Sequence, residues 1–152
     1  MTSKIDSFLQ ALENNIPFHA KQNSNVSSSN VGWHIEHCLL TFDGIIKRLS
    51  QTNSKDYRWK FSFPRMFVFV TGSIPKGRAK APERVQPKGD IDEATLTQHL
   101  SKTRERIEEL NTIDSQQFFE HPYFGHLRLK DTVKFLEIHT KHHLKIIESI
   151  KI

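Results

Sequence analysis

The sequence predicts an all-α protein, a four-helix bundle with a long, irregular, basic connection between its second and third helices. Two observations support this. Apolar side chains recur at helical spacing in four separate segments, and proline and glycine are concentrated between two of them. A chain of 152 residues fits one domain, residues 1–152, with a core of its own.

The first two helices are predicted over residues 3–15 and 30–51. The first carries an apolar stripe, and the Ile16-Pro17 pair ends it because the residue before a proline is pushed out of the helical region. Ser28, Ser29 or Asn30 can cap the start of the second helix. Its broad apolar stripe consists of Val31, Ile35, Cys38, Phe42, Ile45 and Leu49.

The other two long helices are predicted over 92–111 and 130–150. Between the second and third helices, residues 57–90 are irregular, with a short helix or strand at 65–71 and an extended surface loop over 73–90. A turn is expected within 114–120. A loop punctuated by proline and glycine follows at 121–125.

The net charge of +5 is unevenly distributed, because residues 57–88 hold eight basic side chains and one acid, Glu83. Such a segment can contact an anion, nucleic acid or a membrane surface, although a solvated basic loop is the simpler interpretation. The basic residues are Arg58, Lys60, Arg65, Lys76, Arg78, Lys80, Arg84 and Lys88.

The sequence favours a cytoplasmic protein that does not enter a membrane. Its longest apolar run, residues 66–70, is far shorter than the ~20 residues that span a bilayer, and the N-terminus lacks the apolar region of a signal peptide. The single cysteine, Cys38, is more simply a buried small side chain than a nucleophile.

Histidines near the C-terminus carry the strongest indication of chemistry. His139 and His143 are four residues apart, so they lie on one face of the last helix, inside its apolar stripe. Two imidazoles at that spacing can bind one metal ion. The pattern differs from the zinc-protease motif, because Thr140 stands where that motif has its glutamate.

A three-ligand metal site needs one more donor, and the second helix offers His34 and His37. Both can approach the interior of the bundle. The helical wheel slightly favours His34, which lies nearer the apolar stripe, whereas His37 falls toward its margin with Thr41 and Gly44. The residues alone leave this choice open.

Three segments together resemble the DinB/YfiT-like superfamily of metal-binding four-helix bundles. They are Val31-Gly32-Trp33-His34-Ile35-Glu36-His37-Cys38-Leu39-Leu40, the closing-helix segment at 139–147, and the His121-Pro122-Tyr123-Phe124-Gly125 loop, which resembles an uncharacterised branch. The resemblance implies metal ligation by His37, His139 and His143, with His34 as the reserve ligand. It also implies that a homodimer is reasonable.

Three neutral imidazoles suit a divalent metal, with Zn²⁺ or Ni²⁺ ahead of Fe²⁺ or Mn²⁺. The resemblance further implies a thiol S-transferase reaction on a small molecule with a low-molecular-weight thiol. Arg78 and Arg84 are the anion-binding candidates for the carboxylates of such a thiol. Trp33, Tyr123 and His142 are the pocket candidates.

Two alternatives remain at this stage. One is a metal-dependent hydrolase on the same three histidines, with water as the nucleophile. The other is a non-catalytic binding protein that uses the basic segment 57–88, although nucleic acid is not the expected partner.

Overall fold

The computed structural model describes residues 2–77 and 80–152. In this part of the chain four long helices form the predicted bundle: α1 Thr2–Asn15, α2 Val31–Gln51, α4 Glu93–Glu108 and α5 Leu129–Lys151. A shorter helix, α3 Phe63–Thr71, lies between α2 and α4. The all-α prediction is confirmed, and a single turn of 3-10 helix, Glu109–Asn111, completes the third predicted segment.

Side-chain caps fix where the long helices begin. The Asn30 side chain accepts a hydrogen bond from the backbone N–H of Trp33 (2.8 Å), so Asn30 is the N-cap of α2. Asp92 and Thr95 exchange side-chain and backbone hydrogen bonds in a capping box at the start of α4. The capping box at Asp92 therefore defines where the long connection between α2 and α4 ends.

The core lies between α2 and the other long helices, and α2 packs most extensively on α4 and α5. Cys38 belongs to this core, and burial raises the pKa of its thiol, which is the behaviour of a small hydrophobic side chain. The side chains that are fully or almost fully buried include Ile5, Leu9, Leu12, Ile35, Phe42, Ile46, Leu96, Ile107, Leu136 and Ile147.

A β-hairpin precedes α5, where the sequence predicted a turn and a loop. Strand β1, Phe118–His121, pairs antiparallel with β2, Gly125–Arg128, so that Phe118 faces Arg128 and His121 faces Gly125. Strands of four residues are too short to show a clear alternating pattern, which is why the sequence did not indicate them.

The segment after α2 agrees with the expectation of a short helix or strand at 65–71 and differs from it at 73–90. Residues 65–71 belong to a helix, α3, which begins at the Ser62 cap and ends at Gly72 in a left-handed conformation. The connection 73–90 was expected to be a plain surface loop. It contains a turn of 3-10 helix, Glu83–Val85, that contacts α2, so part of this connection covers the bundle.

None of the helices in the described ranges combines the length and the apolar character needed to cross a bilayer.

Candidate metal centre

Three imidazoles from two helices meet inside the bundle. His37 comes from α2, and His139 and His143 come from α5. One nitrogen from each ring lies within 4.8 Å of the other two, and the ring centroids are 4.6–5.0 Å apart. The structure therefore brings together the three residues that the family resemblance implied.

The ring of His37 is fixed by the connection that covers the bundle. Its Nδ1–H donates a hydrogen bond to the Val85 carbonyl oxygen (2.7 Å), which leaves Nε2 with a lone pair. The indole of Trp33 stacks on the same ring at 5.0 Å and 14°. A backbone acceptor and an aromatic face thus hold His37 with Nε2 directed at the other two histidines.

His34 lies beside this cluster and outside the group of three. Its Nδ1 is 2.9 Å from His143 Nδ1, and its Nε2 is 2.9 Å from Ser27 Oγ. These contacts are satisfied when His143 Nδ1–H donates to His34 and His34 Nε2–H donates to Ser27. That arrangement leaves His143 Nε2 free, and it makes His34 a residue that orients another histidine.

Burial keeps all four imidazoles neutral, which is the form that binds metal. Desolvation lowers the pKa of His37, and the bond to Val85 only partly offsets it. Desolvation, reinforced by the neighbouring histidines, holds the pKa values of His139 and His143 well below the usual 6.5. The pKa of His34 falls to about 4 for the same reasons, burial first.

The donor set fits one divalent ion. His37 Nε2 and His139 Nε2 are 3.1 Å apart. Two imidazole nitrogens on one tetrahedral Zn²⁺, with bonds of about 2.0–2.1 Å, stand about 3.3 Å apart. Among the described residues, His139 Nδ1 is buried and has no hydrogen-bond partner.

The three histidines open into a cavity of about 870 Å³. Its walls come from α2, α3, the connection 73–90, the hairpin and α5, and they are mainly apolar. No carboxylate lines the cavity among the residues that the structure describes, whereas Arg48, Lys80 and Arg84 do. Three ligand-capable imidazoles at the wall of a large apolar cavity are typical of a small-molecule site.

The comparisons with known proteins agree with this architecture. A family model described as the DinB superfamily matches residues 9–147, which is nearly the whole chain. The chain belongs to the DinB superfamily. No curated protein and no solved structure matches it significantly.

The other predicted residues of this DinB protein are distributed around the cavity. Trp33 and His142 line it and are half-buried, and Tyr123 lines it with about half of its surface exposed (52%). Arg84 is exposed at the wall, next to the Val85 carbonyl that holds His37. Arg78 lies outside the described residues.

Sequence reasoning on this DinB chain missed several residues of the cavity. His121 stacks on Phe124 at 4.1 Å and lines the cavity; its pKa falls to about 4, through burial and then the charge of Arg84. The sequence did not indicate His121 as a cavity residue, because it lies at the end of a short strand that no local pattern predicted. Arg48 and Gly44 follow His37 on one face of α2, a spacing that was visible but was not connected with a site.

Proposed function

We propose that this DinB protein is a metal-dependent thiol S-transferase, which joins the sulfur of a low-molecular-weight thiol to an electrophilic carbon of a second small molecule. One observation carries the proposal: the buried His37, His139 and His143 cluster opens into a large cavity with apolar walls and cationic side chains. Such a site can bind a metal, a thiol and an apolar electrophile together.

The metal held by the three imidazoles is proposed to be Zn²⁺ or Ni²⁺, with Fe²⁺ or Mn²⁺ as the next choices. When bound, such an ion supplies a Lewis acid that lowers the pKa of a coordinated thiol from about 8.5 into the neutral range. The low pKa values of His139 and His143 support this role, because protons do not compete for these rings near neutral pH.

Two other residues of the cavity have proposed roles in binding the thiol and in accepting its proton. Arg84 is proposed to pair with a carboxylate of the thiol; its position on the cavity wall, beside the turn that holds His37, supports this role. His142 lines the cavity next to His143, with ring centroids 5.2 Å apart, and burial lowers its pKa. Its unprotonated nitrogen can accept the proton that the thiol loses as the carbon–sulfur bond forms and the leaving group departs with its electron pair.

The test is thioether formation in metal-loaded protein. Cysteine and glutathione are supplied with chlorodinitrobenzene, and the thioether is followed by absorbance with Zn²⁺ or Ni²⁺ added. We expect turnover that saturates with thiol and disappears in His139→Ala. We expect Arg84→Gln to raise KM for glutathione several-fold with little change in kcat. A matched control is Arg106→Gln, on α4 and away from the cavity.

The competing functions predict different outcomes of the same experiment. Turnover of esters or amides that needs no thiol would indicate the hydrolase. Binding of an acidic partner that weakens steeply with salt and survives His139→Ala would indicate the non-catalytic protein that uses segment 57–88. The lack of carboxylates along the cavity, among the described residues, favours the transferase, because a hydrolase commonly uses one as a general base.

Two further proposals follow from the same function. A reducing cytoplasm would supply the thiol and keep Cys38 reduced. A homodimer would cover apolar side chains that a single chain leaves exposed on and before α3, among them Trp59, Phe61, Met66 and Val70.

A further inference from the structure

We infer that the second substrate of this site is a long amphipathic anion, whose apolar body lies along α2 and whose anionic group pairs with Arg48 at the far end of the cavity. This inference rests on the proposed function only for the end of the cavity that holds the histidines. The apolar walls of the cavity and Arg48 support the apolar body and the anionic group independently of that function.

The length of the ligand follows from one face of α2. His37, Thr41, Gly44, Ile45 and Arg48 all line the cavity, and the spacing 37, 41, 44 or 45, 48 places them on one face of that helix. At 1.5 Å per residue, the helix advances about 16 Å between His37 and Arg48. A molecule that reaches from the histidines to Arg48 is therefore an extended chain or a system of several rings.

Gly44 keeps the middle of this path open. It lies within α2, where glycine costs roughly 1 kcal/mol of helix stability relative to alanine. A Cβ built on Gly44 would meet no atom within 4 Å, so packing against a neighbour does not explain the glycine. A larger side chain here would project into the cavity, between the histidines and Arg48.

The walls along this path require an apolar body. Phe67 and Val68 of α3 line the cavity together with Phe119 and Phe124 of the hairpin segment. Val68, Phe119 and Phe124 are buried, so this part of the wall presents little surface to solvent. A polar chain in this position would lose its hydration without gaining partners.

The charges along the path favour an anion. The exposed Arg48 side chain lines the cavity and makes no hydrogen bond or ion pair with another residue of the described structure, and the same holds for the side chains of Lys80 and Arg84. Arg84 lies at the histidine end, next to Val85, and we assign it to the thiol. Arg48 then remains for the second substrate. A guanidinium pairs with carboxylate, sulfonate or phosphate groups alike.

The experiment is isothermal titration calorimetry with three probes that share one alkyl chain: dodecanoate, dodecanol and dodecylammonium. The protein is full-length, metal-loaded and below the concentration at which the probes form micelles. We expect dodecanoate to bind the wild type at least about tenfold more tightly than either other probe, the difference that one charge-assisted hydrogen bond supplies.

Two variants locate the ligand. Arg48→Gln should weaken dodecanoate about tenfold and leave dodecanol unchanged. Gly44→Leu should weaken dodecanoate and dodecanol alike, about tenfold or more, because its side chain fills the path. Ser50→Leu is the matched control; Ser50 is exposed on α2 and does not line the cavity, so this variant should bind both probes as the wild type does.

The outcomes separate this inference from the proposed function, because metal content is measured on the same samples. Metal-loaded protein that binds the three probes equally, or Gly44→Leu that binds dodecanoate as tightly as Ser50→Leu, would overturn the inference and leave the metal site intact. Protein that holds no metal but prefers dodecanoate, with both variants behaving as expected, would support the inferred anionic ligand and contradict the proposed transferase function.

Discussion

His34 and His37 are equally buried on α2, each about 4% exposed, and the partners of their ring nitrogens separate their roles. Both nitrogens of His34 are occupied, one by Ser27 and one by His143. His37 uses one nitrogen for the Val85 carbonyl and turns the other toward His139. Burial alone cannot assign a ligand; the hydrogen bond on the opposite side of the ring can.

His34→Ala tests this assignment. The variant should still take up one metal ion per chain at saturating concentration, because the group of three is intact. Its affinity should fall about 10- to 100-fold, because His143 loses the acceptor for its Nδ1–H. Competition with a chromophoric chelator measures the affinity. A variant that no longer reaches one ion per chain at any concentration would make His34 a ligand.

His99 joins α4 to α2 and gives the protein a dependence on pH outside the metal centre. Its Nδ1 lies 2.9 Å from the Glu36 carboxylate and its Nε2 lies 3.0 Å from Asp43. The hydrogen bond to Asp43, then that to Glu36, raises the pKa of His99 from 6.5 to about 9. The folded state therefore holds this proton more tightly than the unfolded state.

Stability should fall as the pH rises from about 6.5 to 9, since the stabilisation is complete below the unfolded pKa and is lost through the folded pKa. His99→Gln should cost roughly 1–2 kcal/mol of the free energy of unfolding at pH 6 and much less above pH 9. Urea unfolding across this range measures both. A difference between the two proteins that stays constant with pH would show that His99 is uncharged in the fold.

Much of the cavity wall is built by the parts of the chain that are least regular. The hairpin supplies Phe119 and His121, the connection 73–90 supplies Lys80 and Arg84, and both close over one face of α2. The regular bundle supplies the three histidines. The site thus depends on how two irregular segments are held against the bundle.

Thr52, which follows α2, holds the first strand of the hairpin against the end of that helix by hydrogen bonds. Its hydroxyl accepts a hydrogen bond from the Phe118 N–H (3.2 Å) and donates one to the Phe118 carbonyl oxygen (2.9 Å). Thr52→Val preserves the shape and removes both bonds, so the free energy of unfolding should fall by about 1–2 kcal/mol. Chemical denaturation measures this. Thr97→Val, at an exposed position of α4, is the control; equal losses in the two variants would contradict the role of Thr52.

The four long helices could be predicted because their apolar stripes follow one period over three turns or more. The pair at 139 and 143 could be placed for the same reason. The choice between His34 and His37 could not, because the wheel treats the margin of α2 as surface. That margin is covered by the turn Glu83–Val85, a contact between residues 48 positions apart in the chain.

The hairpin and the cavity could not be predicted from the sequence, for related reasons. A strand of four residues carries too little alternation to distinguish it from a turn. A cavity is defined by side chains from five segments, so no local pattern encodes it. Gly44 illustrates this limit: within the sequence it is one glycine in a helical stripe, and only the open space around it indicates a use.

One basic segment of the chain also carries large apolar side chains that are exposed. Val70 is 81% exposed, Phe61 65% and Trp59 63%, and all three lie in the same basic segment, residues 57–88. Exposed apolar groups gathered in this way mark surfaces that bind something. The family resemblance favours a second copy of the chain.

Val70→Glu tests the dimer. Val70 does not line the cavity, and glutamate is a good helix former, so the monomer should fold and bind metal normally. We expect sedimentation velocity to show a dimer for the wild type and for Thr97→Glu on α4, and a monomer for Val70→Glu. A wild type that sediments as a monomer at all concentrations, or a Val70→Glu dimer, would contradict the proposed interface.

The central claim is that His37, His139 and His143 together bind one divalent ion. Elemental mass spectrometry on tag-free protein tests it most directly, with His37→Ala, His139→Ala and His34→Ala measured beside the wild type. We expect about one ion per chain in the wild type and in His34→Ala at saturating metal, and none in His37→Ala or His139→Ala. A wild type that holds no metal, even after reconstitution with Zn²⁺ or Ni²⁺, would contradict it and make the cluster structural.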